Sequence, residues 1–165
     1  MLMRHAKSDW HSAAQSDFDR PLNKRGASDA ARMGRWLDAN DLRPEVLLAS
    51  SAQRARQTAL AVAEHLGVND NEVLFNKDLY LADRATLLNI LHTVPATTDS
   101  VLLVAHNPGL DDLVDWLAAE PPPLSDSGKL MTTAAIAIFE VPGPWAKLKR
   151  GEVALRQLLR PKELV

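Results

Sequence analysis

Short apolar runs alternate along the chain with longer stretches in which apolar residues recur every three or four positions. Val46–Ala49, Val101–Ala105 and Ala134–Val141 read as strands, and Met1–Met3 reads as the visible end of another. Ala55, Ala59, Val62 and Leu66 share one helical face, and Gly67 stands where that helix should stop. Leu110, Leu113, Val114 and Leu117 repeat the pattern after Asn107-Pro108-Gly109, with Asp111 and Asp112 suited to the positive end of a first turn. Two more helices are expected over Lys24–Ala39 and Arg84–His92. Strands separated by helical segments indicate an α/β fold: a three-layer sandwich with a mostly parallel sheet between helices. Glu120–Gly128, with three consecutive prolines, reads as a surface loop. Between Trp145 and Val165 the period fits a late strand around Val153–Leu159 or a short amphipathic helix equally well.

Composition narrows the picture. A chain of 165 residues, 46% hydrophobic and 24% charged, has the makings of a single globular domain over residues 1–165. A formal charge of −2 gives no basic field, which argues against nucleic acid or an anionic membrane as partner. With no cysteine there is no disulfide frame, thiolate nucleophile or thiolate metal site, and a reducing cytoplasm is permitted. The longest apolar runs are far short of the roughly 20 residues that cross a bilayer. Arg4 and His5 follow Met1–Met3 at once, so no secretory signal is expected and the protein is expected to stay in the cytoplasm.

Ligands of open α/β sheets bind at the carboxyl ends of the strands, so polar residues there carry the first functional signal. Arg4 and His5 end the first apolar run, His106 ends Val101–Ala105, and Arg54 follows Val46–Ala49 at the start of a helix. A lone histidine after a strand is ordinarily a capping or hydrogen-bonded residue, and a lone arginine an ordinary surface cation. Four such residues at three strand ends form a set. Guanidinium forks match phosphoryl oxygens, and a neutral imidazole is a competent nucleophile toward phosphorus, so the expected occupant is a phosphoryl group. A cationic pocket should also hold the pKa of His5 below its reference of about 6.5.

These residues lie in blocks that resemble the histidine phosphatase superfamily, the phosphoglycerate mutase-like fold. Arg4-His5-Ala6-Lys7-Ser8 is similar to the signature of its SixA-type phosphohistidine phosphatase branch. Asp19-Arg20-Pro21-Leu22-Asn23-Lys24-Arg25-Gly26 resembles the next block, Ser50–Ala59 the second arginine block, and Val104–Leu110 the second histidine block. The four occur in family order and span residues 2–110. The resemblance implies that His5 is the phosphorylated nucleophile and that Arg4, Arg54 and His106 hold the phosphoryl oxygens. Ser8 and Asn23 are further pocket candidates, although a turn and a helix cap would explain them equally well. Lys7 reads as a rim charge.

Three residues precede Arg4, fewer than the family's first strand usually has, and the general acid of many superfamily members is not evident. Asp78 and Asp83 occupy the region; Asp83 is better explained as the cap of the helix from Arg84, and Asp78 as a loop residue. The five histidines include no i,i+4 pair, and no Gly-rich nucleotide loop exists. The expected activity is therefore cofactor-free, metal-independent phosphoryl transfer to water through a phosphohistidine intermediate, acting on a phosphorylated protein. The alternatives are a phosphatase of small phosphate esters, a mutase, or a non-catalytic module that binds phospho-ligands. The loops His11–Asp17 and Pro121–Gly128 carry no readable specificity code.

Overall fold

A computed structural model describes residues 1–164. Six strands form one sheet in the order β3-β2-β4-β1-β5-β6, where β1 is Leu2–Arg4, β2 Val46–Ser50, β3 Leu74–Asn76, β4 Val101–Ala105, β5 Ile136–Glu140 and β6 Ala154–Leu159. The pairs β3·β2, β2·β4 and β4·β1 are parallel, whereas β5 runs antiparallel to β1 and β6 to β5. The sheet is thus mixed, with a parallel part that carries the site and an antiparallel arm.

Side chains alternate across a strand, so a continuous apolar run requires cover on both faces. In β4, Val101, Leu103 and Ala105 pack with Leu110, Leu113, Val114 and Leu117 of α4 (Gly109–Leu117) and with Leu87 and Leu91 of α3 (Arg84–His92). Leu102 and Val104 point the other way, into a second core with Ala30, Met33 and Leu37 of α1 (Lys24–Ala39) and Ala55, Ala59, Val62 and Leu66 of α2 (Gln53–Leu66). This is the expected three-layer sandwich. The helices over 24–39 and 84–92 have the expected bounds, and α2 ends at Gly67 in the left-handed conformation, φ 68°.

Three elements differ from expectation. The strand expected from Ala134 starts at Ile136, because Ala134 is at φ 62° and donates its N–H to the carbonyls of Arg4 and His5. The ambiguous tail forms β6, paired to β5 with a register shift at Ile138/Phe139. Edge strand β3 has no counterpart among the expected strands, since its three residues are exposed or half-buried and show no alternation.

Candidate active site

β4 lies between β1 and β2, all three parallel, so their carboxyl ends open side by side. That order brings Arg4, His5, Arg54 and His106 together although the sequence separates them by up to about a hundred residues. Their cavity, about 360 Å³, is also lined by Lys7, Ser8, Trp10, Asp17, Arg20, Leu81, Asn107 and Thr133.

His5 leaves β1 with its backbone N–H on the Ala105 carbonyl, and the next N–H, of Ala6, donates to Thr58 Oγ1 at 3.0 Å. The backbone that carries the ring is therefore held from both β4 and α2. Nδ1 lies 2.8 Å from the Ala6 carbonyl; a carbonyl can only accept, so the proton is on Nδ1 and the lone pair on Nε2. Arg54 Nε donates to that Nε2 at 3.3 Å. The His106 ring stands 5.0 Å away, tilted by 55°. Its Nε2 is 2.8 Å from Ser50 Oγ, and that hydroxyl also accepts from the Ala52 N–H at 3.3 Å. The Ser50 hydroxyl thus holds one nitrogen of the His106 ring, and the other, Nδ1, is buried without a partner in the protein.

Both imidazoles are held neutral. The pKa of His5 is lowered to about 3, first by burial and then by the charges of the neighbouring groups His106, Arg54 and Arg4; that of His106 falls to about 3, first by burial and then by Arg54. The direction is the expected one, but removal from water, more than the cationic pocket, causes it.

Arg54, 2% exposed, donates from Nη1 to the Asp17 carbonyl at 2.6 Å and from Nη2 to Asp17 Oδ2 at 3.0 Å. Arg4 donates from Nη1 to the Met131 carbonyl, and its Nε is buried without a partner. Ser8 is buried on the pocket wall and accepts from Arg20. Asn23 is not on that wall. Its Oδ1 accepts from the Gly26 N–H at 2.8 Å as the cap of α1, so the structure corrects its assignment as a pocket residue: the orphan donors of the helix end claim its side chain. Gly26 matters in this corner, because a Cβ there would lie 2.0 Å from the Lys7 carbonyl; Gly109 stands equally close to the Ala82 carbonyl, at the start of α4.

Neither Asp78 nor Asp83 lines the cavity. Asp83 caps α3 through the Thr86 N–H at 2.8 Å, and Asp78 lies exposed in a turn. Two other residues do line it, and the sequence alone assigns them no role. Arg20 lies 3.6 Å above the Trp10 ring and binds Asp17 at 2.7 Å. Asp17 also accepts from Tyr80 Oη at 2.7 Å, and that bond, ahead of those from Arg20 and Arg54, holds its carboxyl well below the usual carboxylate range. Arg20 falls within the motif block Asp19–Gly26, which was its available signal; Asp17 lies in a loop without period, and nothing local marks it.

Comparison with known proteins agrees with this geometry. The model of the histidine phosphatase superfamily (branch 1) matches residues 1–79. The uncharacterized protein Rv1276c of Mycobacterium tuberculosis is 33% identical over 157 residues, 93% of this chain and 96% of that protein. Among solved structures, the protein histidine phosphatase SixA complexed with tungstate superposes with a TM-score of 0.81 at 26% identity, over 99% of this chain and 97% of that one. A SixA protein from Nakamurella multipartitia gives 0.80 at 27% identity, over 97% and 95%. The chain belongs to the histidine phosphatase superfamily. It is a phosphatase of the SixA-like branch, the class whose reaction passes through a phosphohistidine intermediate.

Proposed function

We propose that the protein is a protein phosphohistidine phosphatase in which His5 is the nucleophile. The Nε2 lone pair of His5 attacks phosphorus, the P–N bond to the substrate imidazole breaks, and the departing ring takes its proton from solvent. Water then attacks the phosphorylated His5, the new P–O bond replaces the P–N bond, and inorganic phosphate leaves. Arg4, Arg54, Arg20 and His106 line the cavity where charge grows on the phosphoryl oxygens and where preorganised donors are most effective. Ser50 acts through His106 as a positioning residue, since its hydroxyl bonds Nε2 of that ring.

One observation carries the choice of substrate: the only carboxylate among the described residues lining the cavity is Asp17, and it is held ionised by Tyr80, Arg20 and Arg54. A carboxylate that cannot keep a proton cannot hand one to a leaving alkoxide. A phosphorylated imidazole departs as a neutral ring once solvent protonates it, and an aryl oxide is only weakly basic. Trp10 and Leu81, 71% and 53% exposed on the cavity wall, offer a flat apolar face to such a ring. The same fold at 18% identity, TM-score 0.65, occurs in a mycobacterial glucosyl-3-phosphoglycerate phosphatase, so the fold alone does not choose the substrate. The test is kcat/KM for a phosphohistidine peptide, an aryl phosphate and an alkyl phosphate, which should fall in that order. A preference for the alkyl ester would make the small-ester phosphatase the better reading.

A further inference from the structure

Beside the catalytic cavity lies a second cleft of about 450 Å³, and the two share Arg4, Lys7 and Thr133 in their walls. Six of the 19 Lys and Arg residues of a chain with net charge −2 line it: Arg4, Lys7, Arg25, Lys129, Arg160 and Lys162. Among the described residues only two carboxylates, Asp126 and Glu163, face them, and Glu163 is already engaged by Arg160 at 2.9 Å. Arg160 is a structural cation, buried and spent on Glu163 and on the carbonyls of Leu130 and Pro123. The others differ. Lys7, Lys129 and Lys162 are exposed, and among the described residues no carboxylate lies within ion-pair distance of any of them; exposed Arg25 has only a 3.4 Å contact with Asp29. These cations come from four separate segments, which the fold gathers on one side of the phosphoryl pocket.

Such a concentration of uncompensated positive charge is held apart by the scaffold and calls for an anionic occupant. The kind of cation says which. A single anion held in fixed geometry is best served by an arginine fork, whereas flexible, hydrated ammonium groups spread over a broad cleft act as separate point charges and suit several dispersed anionic groups, such as carboxylates along a peptide. We propose that this cleft docks the acidic side chains that flank the phosphohistidine on a protein substrate. The assignment rests on the phosphohistidine phosphatase reading and extends it to substrate choice. Ser125, Asp126 and Ser127 of the loop Pro121–Gly128 line this cleft and Lys129 follows that loop directly, so a segment without a readable specificity code acquires a function from where it folds.

The experiment uses two phosphohistidine peptides, one with three glutamates beside the phosphorylated residue and one with three glutamines, together with an aryl phosphate. The full chain should favour the glutamate peptide about tenfold in kcat/KM, mainly through KM, as expected for a few exposed charge pairs. The preference should collapse in about 1 M salt, where the screening length is about 3 Å. The double variant Lys129→Glu/Lys162→Glu should lose or invert the preference while aryl phosphate turnover stays unchanged, which also shows that the variant is folded. Equal kcat/KM for the two peptides in the unaltered protein overturns the docking site and leaves the phosphohistidine phosphatase reading standing. Failure to turn over either peptide while the aryl ester is hydrolysed overturns both. A gain for a sugar bisphosphate over its monophosphate, with no discrimination between the peptides, overturns the proposal in favour of a small dianion.

Discussion

The phosphoryl pocket is built in two halves that differ in how they are held. His5, Arg54 and His106 sit at the ends of parallel strands or at the start of the helix that follows, 8%, 2% and 1% exposed; the His5 ring bonds the Ala6 carbonyl, the His106 ring the Ser50 hydroxyl and the Arg54 guanidinium the Asp17 carbonyl, while Thr58 ties the backbone of Ala6 to that of Arg54. Trp10, Asp17 and Arg20 come from the irregular loop between β1 and α1, and they hold one another by stacking and ion pairing at the solvent edge. The first half needs fixed geometry, because a nucleophile and its oxyanion donors lose rate with small displacements. The second half supplies charge that can exchange partners: Asp17 occupies the cations that a phosphoryl group would bind, and the two anions compete.

Substitutions in the rigid half should have the largest effects. His5→Ala should abolish turnover with the fold intact, because no second group in the pocket has its Nε2 lone pair bonded by an arginine N–H. Retention of more than a few per cent of the activity would break the comparison at its strongest point. Arg54→Ala and His106→Ala should each lower kcat by a factor of about 10² or more, the usual cost of removing one donor from a developing charge. A rise in KM alone would move both residues from transition-state stabilisation to substrate positioning.

In the loop half the expected effects are smaller and opposite in sign. Arg20→Ala should weaken inhibition by inorganic phosphate, and Asp17→Asn should strengthen it, each by a factor of about 2 to 5, the range of partly exposed ion pairs. The Asn variant keeps the backbone carbonyl that orients Arg54, so a loss of phosphate affinity in it would show that the Asp17 carboxylate positions the arginines and does not compete with substrate.

A stability measurement separates the halves without any substrate. The two histidines are held near a pKa of about 3 in the folded protein, against about 6.5 in the unfolded chain. Below about pH 6.5 the unfolded chain takes up protons that the folded one excludes, so stability falls as the pH drops toward 3, by at most about 1.4 kcal/mol per pH unit for each histidine. Urea unfolding at pH 7 and pH 5 should show this loss, and His106→Gln should reduce it. Asp17→Asn should leave it unchanged, because that carboxyl titrates at lower pH; an equal change in both variants would contradict the division.

The same two halves explain which features are legible in the amino-acid order. Runs such as Val101–Ala105 are buried on both faces and leave a continuous apolar signal, so the central strands, the helices and the residues that end them can be placed from the sequence alone. Edge strand β3 has no such burial, and β6 is fixed by pairing to β5, a contact that periodicity does not encode. Asn23 is ambiguous in sequence because its residue type serves a helix cap and a polar wall equally. Asp17 reaches the site only because the loop folds back over Arg54 and Tyr80, and that approach has no local signature.

The central claim is that His5 carries the phosphoryl group. Rapid quenching of the protein during turnover of a 32P-labelled substrate, followed by peptide mapping, tests it directly. An acid-labile, alkali-stable label should appear on His5 during turnover and none in His5→Ala. Turnover without a label on the protein, or a label that maps to His106, would contradict it.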